Sequence, residues 1–159
     1  MPQSSISAPV AALAVVCSPL VSAAREPGLS DAHREAVKQT ILNWTQALLK
    51  NDFDTWRGYW CEEALQMAPH LKRLIGLTAM ELMFENKAHC DHRLFDLTDW
   101  AVTGRGELAI AANQLTWADD CGETQTVKQV IVLRGRKEDG WKVVALSFGE
   151  VKAGSGFTF

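Results

Sequence analysis

The sequence predicts an α+β domain in which helices come first and an antiparallel sheet follows. Three observations lead there. Leu94 to Val102, Glu107 to Trp117, Thr126 to Arg134 and Trp141 to Phe148 alternate apolar and polar residues with the period of two that marks half-buried strands. Ahead of them lie stretches with helical spacing and good capping residues. At 159 residues the chain is long enough for one domain with a substantial core.

The four strands are joined by three short connections and so read as consecutive hairpins. The first turn is Gly104-Arg105-Gly106, where glycine supplies backbone angles other residues resist. The second is the polar run Asp119 to Glu123, and the third ends in Asp139-Gly140. Centring each hairpin on its turn places Trp100 opposite Ile110, Asn113 opposite Gln129, and Ile131 near Val143. Strict alternation then puts Asp99, Ala101, Ala109, Ala111, Asn113, Gln129, Ile131, Val143, Ala145 and Ser147 on one face. Trp100, Val144, Leu146 and Phe148 share the other face with Lys128, Arg134 and Lys142, which makes it the wetter, outer one. A slip of one residue exchanges the two sets for that strand.

The middle of the inner face is unusual. Asp99, Asn113 and Gln129 are polar residues on neighbouring strands, with small alanines around them. A buried amide or carboxylate without a partner costs roughly 1–3 kcal/mol, so the cluster implies mutual hydrogen bonds, water or a ligand. A self-satisfied structural network and a ligand-contacting cluster both remain open.

The net charge of −3 gives no basic footprint for nucleic acid, and no stretch is long and apolar enough for a membrane helix. Residues 1–29 read as a leader outside the fold. Ala8 to Ala24 is small and apolar, is broken by Pro9 and Pro19, and ends in Val21-Ser22-Ala23-Ala24, which suits a signal-peptidase site. No Lys or Arg precedes it, so a signal peptide, a disordered extension and a misassigned start remain alternatives. Export to the periplasm or beyond follows from the first, a cytoplasmic location from the others. The register brings Cys90 and Cys121 nearly opposite, close enough for a disulfide in an oxidising compartment. Residues 30–150 are the domain, and 151–159 a Gly- and Ser-containing tail.

Ser30 and Asp31 are N-cap types, and Val37, Ile41, Trp44, Thr45 and Leu48 then form one helical stripe to about Lys50. Asp52 caps a short second helix through about Trp60, with Phe53, Trp56 and Trp60 on one face, either core or pocket wall. Glu62 to Ala68 suggests a short strand stopped by Pro69. Thr78-Ala79-Met80-Glu81 reads as a capping box for a third helix to about Ala88.

This order resembles the nuclear transport factor 2-like superfamily, in particular its polyketide-cyclase-like (SnoaL-like) and ketosteroid-isomerase-like branches. The resemblance is carried by Trp44 to Leu48 with Asn51-Asp52, Trp56 to Trp60, Gly76 with Ala79-Met80, and Asp139 to Val144, across residues 32–149. It implies a cone: a curved antiparallel sheet wrapped around three helices, with a hydrophobic pocket at the open end. It also implies a homodimer paired through the outer sheet face. Members isomerise, cyclise, dehydrate or hydrolyse small hydrophobic molecules, or only bind them. Tyr59 lies in the second helix, where the steroid isomerases' catalytic tyrosine does not, so no catalytic residue is carried over.

Cofactor-independent acid–base chemistry is the first functional expectation. A carboxylate buried in an apolar cone has its charged form disfavoured and can exchange protons near neutral pH, which makes Asp99 the first candidate catalyst. His70, after Pro69, is the second. Asn113 and Gln129 would hold a substrate carbonyl as charge develops on its oxygen. Tyr59, Trp44, Trp56 and Ser147 complete the candidate contacts. His89-Cys90-Asp91-His92 contains ligand types, but a helix-to-strand junction points successive residues apart, so no metal site is expected. The alternatives are a non-catalytic binding domain for a small hydrophobic molecule and a dimerisation module.

Overall fold

Ser30 opens helix α1 (Asp31–Leu49), its hydroxyl accepting from the His33 backbone N–H at 3.2 Å. The structure, a computed structural model, describes residues 28–69, 72–85, 92–120, 124–136 and 140–150. The expected leader up to residue 27, His70, Cys90, Cys121 and the tail therefore lie outside the described residues. Leu29, assigned to the leader by sequence, is a core residue: its N–H bonds Gly104 at 3.2 Å and its side chain is buried.

Helix α1 buries Val37, Ile41, Trp44, Thr45 and Ala47, the stripe its spacing predicts. Asn51 at φ 55° ends it, with the Asp52 N–H returning to Ala47 O at 2.9 Å. Asp52 then caps α2 (Phe53–Gly58) by accepting from the Thr55 N–H at 3.1 Å. This helix stops before Trp60, which instead opens strand β1 (Trp60–Met67). A two-residue strand, β2 (Leu74–Ile75), pairs antiparallel with β1 and was not expected from sequence. Helix α3 (Leu77–Glu85) begins one residue before Thr78, so the expected capping box is not at its N-cap; Gly76 at φ 82° makes the turn instead. Arg57 and Glu81, 3.2 Å apart, link α2 to α3.

The meander follows as β3 (His92–Arg105), β4 (Leu108–Asp119), β5 (Thr124–Arg136) and β6 (Gly140–Glu150). The six strands form one curved, unclosed sheet in the order β2-β1-β6-β5-β4-β3, with β1 parallel to β6 and all other neighbours antiparallel. The core lies between α1 and the inner face, built from Val37, Ile41, Ala109, Ala111, Ile131, Leu133 and Val143. No helix among the described residues is long and apolar enough to cross a membrane.

Two departures from strict alternation reshape the inner face. The first turn is Gly106-Glu107, with Arg105 opposite Leu108, so Gly104 belongs to the strand and Thr103, not Trp100, lies opposite Ile110. Thr98 pairs with Gln114 and Ala101 with Ala112, which leaves Asp99 and Trp100 together opposite Asn113 in a bulge. Asp99 occupies the left-handed region at φ 54°, a conformation aspartate tolerates better than most residues. The second bulge is in β6, where Leu133 pairs with Val143 but Val132 with Ala145, leaving Val144 extra. Trp100, Leu146 and Phe148 consequently pack toward the core, whereas Ala101, Ala145 and Ser147 turn to the outer face. Ile131 pairs with Leu146 rather than lying beside Val143.

Candidate functional site

The site grows from the two strands that keep their alternation. Between β4 and β5 the pairing is continuous from Leu108↔Arg134 to Ala118↔Thr124, and Asn113 faces Gln129 as the sequence predicts. Both side chains are buried, at 4% and 3% exposure. The Gln129 amide donates from Nε2 to Asn113 Oδ1 at 2.8 Å. That leaves the Asn113 NH2: Nδ2 is buried and has no hydrogen-bond partner among the described residues. A donor abandoned in this way costs about 1–3 kcal/mol, and native proteins keep few of them.

Asp99 does not join the pair in the interior. It stands in the bulge beside Asn113 but is exposed to solvent. The reason is local: two residues occupy the space of one, and it is Trp100 that packs inward. The burial on which the acid–base reading of Asp99 depended is absent. Ser147 is likewise displaced, to the outer face opposite Val130, by the extra residue at Val144.

The helical candidates assemble elsewhere. Trp44 from α1 meets Trp60 edge-on at 5.4 Å, and Trp56 meets Trp60 at 5.4 Å. Trp44, Trp56 and Trp60 are all buried, and Tyr59, at the C-cap of α2, packs half-buried against the hydrophobic core. Trp60 pairs with Val143, in the row of Leu133 and Ala109, which lies four residues along β4 from Asn113. At about 3.4 Å per residue that is about 14 Å, so the tryptophan cluster and the amide pair are two separate places on the inner face. Gln66 of β1 is a further buried amide, facing Leu146.

Sequence reasoning missed Trp100 and Phe148. The register sets Trp100 in the bulge against Asn113 and Phe148 opposite Gln129. The Asp99 position carried no glycine to announce the bulge, and nothing in Val143-Val144-Ala145 marks the second.

No protein-family profile matches the chain, and no curated protein sequence does. Solved structures do. A nuclear transport factor 2-like protein of unknown function from Pseudomonas putida KT2440 superposes with a TM-score of 0.69 at 16% identity, over 80% of this chain and 92% of that one. The CaMKII hub of S. rosetta gives a TM-score of 0.66 at 20% identity, over 74% and 96%. A candidate aromatic ring hydroxylase from Novosphingobium aromaticivorans gives 0.66 at 20%, over 79% and 93%. Identities this low speak for architecture and leave activity to be argued from the site. The chain has the fold of the nuclear transport factor 2-like superfamily.

Proposed function

We propose that this protein is a small-molecule-binding domain that recognises an apolar compound through one hydrogen-bond acceptor, held by the Asn113 amide. The unmatched Nδ2 on the inner face carries this reading. A carbonyl or ether oxygen delivered there would satisfy a donor that the fold leaves alone, and the surrounding apolar core would take the rest of the ligand. Nδ2 is closed off from bulk solvent by the packing around it, so an acceptor reaches it by displacing packed side chains. Binding then includes a conformational step, which slows association below the diffusion-controlled rate. The reading does not draw on Asp99, whose exposure removes it from the interior.

The test is ligand-observed NMR with small ketones on the full chain and on Asn113→Leu. The wild type should bind, and the variant should bind about tenfold or more weakly, since one buried hydrogen bond is worth about 0.5–1.5 kcal/mol and an abandoned acceptor more. Equal affinity in the two proteins would remove Asn113 from recognition.

We infer a second feature from the outer face, where Ile110, Val130 and Met67 are exposed at 40%, 46% and 45%. Val130 lies between Ala112 and Ser147, and Ile110 between Thr103 and Val132, so small and apolar residues are contiguous across five strands. Lys128 and Arg134 flank the patch on β5, which suits a self-complementary contact with a polar rim. A homodimer through this face keeps the expected partner but uses a different set of residues, because Trp100, Leu146 and Phe148 point inward. Light scattering should report a dimer that Ile110→Lys with Val130→Lys converts to monomer; a monomeric wild type would end this reading.

A further inference from the structure

The amide pair belongs to a row that alternation alone conceals. Trp100, Asn113, Gln129 and Phe148 follow one another across β3, β4, β5 and β6. The outer two are aromatic, partly buried and packed against the core. Each is brought inward by a bulge in its own strand, and the bulges lie on opposite sides of the pair. Bulges re-aim side chains beside sites, and two of them here deliver a ring to the same cross-strand row. The indole of Trp100 is also fixed, its Nε1 donating to Leu97 O at 3.1 Å.

We propose that the ligand is a flat aromatic carbonyl compound, its ring lodged between Trp100 and Phe148 and its oxygen on Asn113 Nδ2. This rests on the role of Asn113 proposed above and specifies the ligand class. Three interstrand spacings of about 4.8 Å separate the Cα atoms of Trp100 and Phe148 by about 14 Å. The Asn113–Gln129 pair fills the strands between them and is buried, so a ring entering over the pair displaces packed side chains, as the acceptor does. An aromatic guest meets the walls in offset or edge-to-face contact, which a saturated ring of equal size cannot reproduce. A wall already held by a hydrogen bond loses little freedom when the guest arrives.

The test compares acetophenone with cyclohexyl methyl ketone, by ligand-observed NMR titration of the full chain. The two carry the same acceptor and nearly the same volume. The wild type should prefer the aryl ketone by about tenfold or more. Trp100→Leu and Phe148→Leu should each bring that preference toward unity, while Trp100→Phe should keep most of it. Equal wild-type affinity for the two ketones would overturn the aromatic class and leave the amide reading standing. Binding of neither at millimolar concentration would overturn both.

Discussion

Replacing the amide pair with apolar residues should separate stability from binding. Wild type carries one hydrogen bond, Gln129 Nε2 to Asn113 Oδ1, and one abandoned donor, Asn113 Nδ2. The bond contributes about 0.5–1.5 kcal/mol net, and the abandoned donor costs about 1–3 kcal/mol. Asn113→Leu removes the abandoned donor but leaves Gln129 Nε2 without its acceptor, so the two effects cancel to within about 1 kcal/mol. Gln129→Met relieves nothing and strips Asn113 Oδ1 of its donor as well, which costs about 1–3 kcal/mol. The double variant loses the bond and the abandoned donor together, a net gain of about 0–2 kcal/mol. Urea unfolding followed by tryptophan fluorescence should therefore rank the double variant at or above wild type, Asn113→Leu near wild type, and Gln129→Met lowest. A double variant less stable than either single one would refute the reasoning, because it would mean the network is fully satisfied and holds the fold together.

Further outcomes follow from the same geometry. Asp99→Gly should keep the β3 bulge, since glycine accepts φ 54° freely; Asp99→Val should lose about 1–2 kcal/mol and red-shift tryptophan emission as Trp100 turns outward. Unchanged emission in the valine variant would show that the bulge does not depend on this residue. Gly104→Ala places a Cβ 2.8 Å from Ala109 Cα and 2.9 Å from Leu29 Cδ1, so thermal unfolding should report a loss of about 1–3 kcal/mol. The Thr55 hydroxyl and then its N–H hold the Asp52 carboxyl below the ordinary aspartate range. A depressed folded-state value means stability that is present above the unfolded value and lost as pH falls through the folded one. Asp52→Asn, which retains a capping oxygen, should accordingly flatten the acid limb of the stability–pH curve, and an unaltered limb would assign it to other carboxylates.

Much of this architecture was legible in the chain. Helix α1 declared itself through Ser30 and the Val37–Ile41–Trp44 stripe, and α2 through Asp52, because caps and periodicity are local. Strands β4 and β5 were readable to the residue, Asn113 against Gln129, since neither carries an insertion between its turn and the site. Strands β3 and β6 were not. Each has one extra residue, and one extra residue exchanges the faces of everything beyond it. That moved Asp99 and Ser147 out of the interior and Trp100 and Phe148 into it. The parallel pairing of β1 with β6 was also hidden, as it joins residues more than 75 positions apart, such as Leu65 with Ala145, while β2, two residues beside Leu65 and Gln66, is too short to show a period.

The most direct measurement is the side-chain amide spectrum of Asn113, recorded by ¹H–¹⁵N NMR before and after saturation with a bound ketone. The two Nδ2 protons should resonate without a hydrogen-bond shift in the free protein, and one should move strongly downfield in the complex. A ketone that binds and leaves both protons where they were would place recognition elsewhere on the molecule.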